Sequence, residues 1–69
     1  MIRTFNAQIL KDLVEKKIKS GVRIGQIPVK IGVSRQHLWN WMDGKYDPSA
    51  DSLAKVANYF GVSINRFFS

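Results

Sequence analysis

The sequence predicts an all-α fold of five short helices and no strand. Three observations carry that reading. Apolar residues recur at three- and four-residue spacings instead of alternating. Glycines stand just past four such runs, at Gly21, Gly32, Gly44 and Gly61, where a left-handed residue can end a helix. Asparagine or serine opens the runs, where a side-chain oxygen can accept a free backbone N–H.

The first helix runs from Asn6 to Ser20, with Asn6 as its cap. Ile9, Leu10, Leu13, Val14 and Ile18 form its buried face. Lys11, Lys16, Lys17 and Lys19 occupy much of the remainder. The second helix covers about Ile24 to Ile31, with Ile27 and Ile31 on one face. Pro28 fits only a first turn, where its missing N–H has no partner to lose. This helix therefore either begins late, near Gly25 or Gln26, or is kinked.

The third helix runs from Ser34, its cap, to about Asp43. Leu38, Trp41 and Met42 form an apolar stripe. Arg35, Gln36, Trp39 and Asn40 form a second stripe on another face. Trp39 and Trp41 lie about 200° apart on a helix, so they point in nearly opposite directions. Trp41 is expected in the core and Trp39 outside. A loop over Lys45-Tyr46-Asp47-Pro48 follows, with Asp47 held extended by the proline. The fourth helix starts near Ser49 or Asp51 and carries Leu53, Val56, Ala57 and Phe60. Ser63 caps a final short helix, Ile64 to Phe68.

These 69 residues suit one domain, spanning 1–69, with no internal repeat or linker. Hydrophobic residues make up 45% and charged residues 23%, which suits a folded chain. With no cysteine, disulfides, thiolate metal sites and cysteine nucleophiles are excluded. His37 is the single histidine, so no multi-histidine metal cage is expected. No apolar run reaches the ~18 residues of a membrane span, and the N-terminus does not read as a signal peptide. A cytoplasmic protein of a bacterial host is expected, with no cofactor, metal, membrane or small-molecule substrate. Asp43, Asp47 and Asp51 read as turn and cap residues, so no catalytic residue is assigned. The balance of 11 Lys+Arg against 5 Asp+Glu gives net charge +6, which points to a polyanion partner.

The stretch from Val22 to Met42, helix, short glycine-bearing turn, helix, has the shape of a helix-turn-helix unit, at about 22–43. Val22 to Phe68 resembles the lambda-repressor-like helix-turn-helix family, the group with phage Cro and CI proteins and many bacterial regulators. The matching residues are Ile27, Lys30-Ile31-Gly32-Val33-Ser34-Arg35, Leu38, Trp41, Gly44-Lys45, Pro48-Ser49, Leu53, Ala57, Phe60-Gly61-Val62-Ser63 and Phe67. The chain departs from the family in carrying Ile24 for a usual glutamine, Pro28 for alanine and Met42 for glutamate. Trp39 stands where a small or polar residue is usual.

The resemblance implies a Cro-like regulator of transcription, from a phage or a bacterium, whose third helix enters the major groove of double-stranded DNA. Arg35, Gln36 and Asn40 would then face bases, with Trp39 giving apolar contact. Arginine suits guanine, and glutamine or asparagine suits adenine. Arg23, Ser34, His37, Lys45 and Tyr46 would hold the sugar–phosphate backbone, which sets register without reading sequence. Phe67 and Phe68 are the candidate contacts of a homodimer. A second reading is a modulator that binds a repressor protein through the same face, using Ile24, Pro28, Val29 and Trp39. A third is that Ile24 and Trp39 fill local packing.

Overall fold

The structure, a computed structural model, describes residues 4–68. Helix α1 spans Ala7–Lys19, α2 Gln26–Ile31, α3 Arg35–Met42 and α4 Ala50–Phe60, followed by a 3-10 turn over Ile64–Phe67. The predicted fifth helix is thus a 3-10 turn, and the described residues hold four α-helices. Its shortness has a cause: Phe68 is extended (φ −112°, ψ 139°) and forms an isolated antiparallel bridge with Phe5. The Asn6 N–H donates to the Phe67 carbonyl at 2.6 Å, tying the approach to α1 against the final turn.

Local chemistry sets the helix ends. Asn6 Oδ1 accepts from the Gln8 N–H, and Ser49 Oγ accepts from the Ser52 N–H. After α1, Gly21 at φ +108° lets its own N–H reach the Ile18 carbonyl and the Val22 N–H reach that of Lys17. Lys16, Lys17 and Lys19 lie in the last turn, where cations oppose the helix dipole. Helix α2 begins late. Pro28 is its third residue, inside the first turn, so no intrahelical bond is lost.

The core unites Leu10 and Val14 of α1, Ile27 and Ile31 of α2, Leu38 and Trp41 of α3, and Leu53, Val56 and Ala57 of α4. Phe5 and Phe67 close it, their rings stacked with centroids 6.1 Å apart. Helix α3 packs on α1 and α2, while α4 packs on α2 and the 3-10 turn. Ile18, expected on the buried face, is exposed. In that turn Lys17 instead faces α4, with its Nζ 5.1 Å from the centre of the Tyr59 ring.

Phe67 is fully buried, which corrects its expectation as a dimer contact: the 3-10 turn points its ring into the core. Phe68 is half-buried, edge-on to Phe5 with centroids 6.4 Å apart. Phe67→Ala is therefore expected to cost about 3–5 kcal/mol, most of the stability of so small a domain. Phe68→Ala should cost about 1–2 kcal/mol. Urea unfolding followed by circular dichroism measures both, and equal losses would contradict the burial order. A second pair tests the backbone. Gly32 has φ +93°, so Gly32→Ala should lose about 1–2 kcal/mol although no atom crowds the site. Gly25 is right-handed, and an added Cβ would meet only Arg35 Nη2, at 3.6 Å. Gly25→Ala should gain about 0.4–1 kcal/mol by restricting the unfolded chain.

Candidate nucleic-acid interface

The turn between α2 and α3 is three residues long. The N–H groups of Gly32 and Val33 both donate to the Pro28 carbonyl, at 2.9 and 3.1 Å. Val33 packs half-buried on the core, so the turn cannot swing freely. Ser34 is extended (φ −75°, ψ 150°), and its Oγ accepts from the His37 N–H at 3.1 Å. That cap fixes where α3 starts.

Leu38 and Trp41 point inward, and their burial fixes the rotation of α3 about its axis. The first turn is left outside: Arg35, Gln36 and His37 are exposed. The Arg35 guanidinium reaches back over Gly25, at the entry to α2. The His37 ring lies along the flank of α3, stacked on Trp41 with centroids 6.2 Å apart and 19° between planes.

Two members of the expected outer stripe lie elsewhere. Trp39 is only half-exposed and packs against the core, because an eight-residue helix wedged against α1 and α2 has contacts on both flanks. Asn40 is buried, 8% exposed. Its Nδ2 donates to the Tyr46 hydroxyl at 2.6 Å, and its Oδ1 accepts from Gln36 Nε2 at 3.2 Å. Among the described residues, no buried side-chain nitrogen or oxygen lacks a partner.

The loop after α3 explains this burial. Gly44, at φ +74°, lets its N–H reach the Trp41 carbonyl at 3.2 Å, and the Lys45 N–H reaches that of Asn40 at 3.0 Å. This Schellman closure turns the chain back over the end of the helix. Tyr46 consequently lies above Asn40, half its surface in solvent (49%). The signal was present in the sequence: a glycine past a helix, then an aromatic hydroxyl six residues after a polar residue. Lys45 is exposed beside it, and Arg23 is exposed in the connection between α1 and α2.

The alternative protein-binding face is reduced. Pro28 is buried with Ile27 and Ile31, because the inward face of so short a helix includes it. Ile24 (47%) and Val29 (70%) are exposed, whereas Trp39 is drawn toward the core. Among the described residues, no helix is long and apolar enough to cross a membrane.

A short helix, a left-handed glycine turn and a capped second helix with an exposed polar first turn make a helix-turn-helix unit. Residues 10–67 match the helix-turn-helix family, and the chain belongs to it, in its lambda-repressor-like branch. Over 39 residues it is 49% identical to an uncharacterized HTH-type transcriptional regulator of the archaeon Methanocaldococcus jannaschii. That match covers 56% of this chain and 59% of the relative's length. No solved structure matches.

The cap on α3 is testable without DNA. Ser34→Ala should cost about 0.5–2 kcal/mol in urea unfolding, whereas Ser34→Asp, which keeps an accepting oxygen, should stay near wild type. Equal stability of the alanine variant would mean that the cap does not hold the helix start.

Proposed function

We propose that the chain is a Cro-like regulator of transcription that occupies double-stranded operator DNA, with residues 34–43 in the major groove. The observation that carries the reading is the exposed first turn of α3, with Lys45 and Tyr46 folded back beside the same helix. Arg35 and Gln36 are the base-reading residues. Arg23, Ser34, His37, Lys45 and Tyr46 are the backbone contacts, with the N–H groups at the start of α3 aimed toward a phosphate. Asn40 acts from behind the reading face, and Trp39 offers only its exposed edge. Occupying the operator would block polymerase. The archaeal relative lends no weight to a bacterial or phage origin, and the regulatory role is favoured by that relative's description as a transcriptional regulator. A homodimer on a two-fold operator would use a surface other than Phe67.

A second reading, docking on a repressor protein, is favoured by the exposed Ile24 and Val29 alone. Salt separates the two. The two cationic phosphate contacts, Arg23 and Lys45, give a slope near about −1.8, so DNA affinity should fall roughly tenfold between ~50 and ~200 mM salt. Fluorescence anisotropy with labelled duplex measures this. Lys45→Ala should weaken all sequences alike and reduce the slope by about 0.9. Arg35→Ala should relax selectivity at one base pair, by about 1–3 kcal/mol. Salt-indifferent or unselective binding would favour the protein-docking reading.

A further inference from the structure

Gln36, Asn40 and Tyr46 form one hydrogen-bonded chain that runs from the loop to the outer face of α3. Each link has a direction. Asn40 Nδ2 donates to the Tyr46 hydroxyl at 2.6 Å, so Asn40 Oδ1 faces the other way. That oxygen accepts from Gln36 Nε2 at 3.2 Å. One Gln36 N–H is thereby used, and its Oε1 and second N–H remain for the exposed side. An acceptor beside a donor is the pattern complementary to adenine, which offers N6–H and N7 in the major groove.

The chain has only two self-consistent polarities. If the tyrosine hydroxyl accepts from Asn40, its own proton points away from the helix. If it donates to Asn40 instead, the asparagine amide turns over. Asn40 Nδ2 then donates to Gln36 Oε1, and Gln36 presents only its amide hydrogens outward. A phosphate oxygen beside Tyr46 would accept a hydrogen bond from the hydroxyl and so hold the first polarity. Asn40 is 8% exposed, so water cannot readily substitute for a missing link.

We propose that Tyr46, acting through the buried Asn40, sets the amide polarity of Gln36 and so makes a loop residue the determinant of adenine preference at one base pair. The proposal rests on the DNA-reading role given above. Tyr46 and Asn40 are positioning residues: the first touches a phosphate and the second touches no DNA. Backbone contact and base choice are then coupled through neutral side chains.

The test uses duplexes selected by the wild-type chain from a random pool, with every base pair of the selected site then varied singly. Gln36→Ala identifies the position that Gln36 reads. Tyr46→Phe keeps the ring and removes the hydroxyl. It should reduce adenine preference at that same position about two- to tenfold, the worth of one hydrogen bond, with the preferences at other positions unchanged. A loss of affinity spread evenly over all positions would mean that Tyr46 is only a phosphate contact or a structural support, and would overturn the proposal. A position altered by Gln36→Ala but untouched by Tyr46→Phe would also overturn it, leaving the DNA-reading role intact. No selected sequence, or no position altered by Gln36→Ala, would instead defeat the DNA-reading role of Gln36 and the proposal with it. A second measurement needs no DNA. In free wild-type protein, nuclear magnetic resonance should show one Gln36 side-chain amide proton shifted by its bond to Asn40. Tyr46→Phe should move that resonance although Tyr46 does not touch Gln36, and an unmoved resonance would overturn the relay.

Discussion

A buried amide sets terms that the rest of the site has to meet. Taking the Asn40 side chain out of water is unfavourable unless both ends of the amide are bonded. Gln36, one turn earlier on the same helix, satisfies the oxygen. The nitrogen needs a partner that helix α3 does not contain. The loop supplies it, because Gly44 closes the helix and carries Tyr46 back over Asn40. The Asn40 carbonyl takes part as well, accepting from the Lys45 N–H. One residue thus anchors both Lys45 and Tyr46. The loop is built onto the helix it follows, and its cation is held in register with the exposed first turn.

That arrangement depends in turn on how α3 is seated. Eight residues make little more than two turns, and Leu38 and Trp41 use them to enter the core. Burying those two side chains fixes which residues are left outside. The seat itself is made by α1 and α2, while the 3-10 turn that carries Phe67 packs on α1 and α4. In a chain this small no layer is spare. Disturbing Phe67 should loosen the bundle as a whole, whereas disturbing Tyr46 should act locally.

What could be read from the sequence was local. The caps at Asn6, Ser34, Ser49 and Ser63 each accept the N–H that their position predicts, because capping involves residues two or three apart. The glycine stops are local in the same sense, and so is the choice that Pro28 leaves between a late start and a kink in α2, which begins at Gln26. The errors all concern what lies across the fold. Ile18 follows the helical spacing yet lies in a turn where Lys17 meets Tyr59. Trp39 and Pro28 look exposed on an isolated helical wheel, and are covered because short helices touch neighbours on more than one flank. The final helix became a 3-10 turn because Phe68 pairs with Phe5, sixty-odd residues away in sequence. The polar stripe was correct at Arg35 and Gln36 in being exposed, and wrong at Asn40, whose partner arrives only after the chain reverses.

On the proposed DNA-reading role, affinity and selectivity fall to chemically different groups. The net charge of +6 attracts any nucleic acid, and its contribution weakens as salt replaces the counterions released on binding. Part of that charge is already committed within the fold, since Lys17 lies over Tyr59. The Gln36–Asn40–Tyr46 chain carries no formal charge, so screening hardly affects it. Its contribution is geometric: it decides which atoms of one amide face outward. Raising the salt should therefore lower affinity much more than it lowers discrimination at the base pair facing Gln36. Selectivity at the guanine-suited Arg35, whose contact is charged, should be the more salt-sensitive of the two. A family fold with one reading helix can in this way tune how tightly it binds and what it binds through separate substitutions.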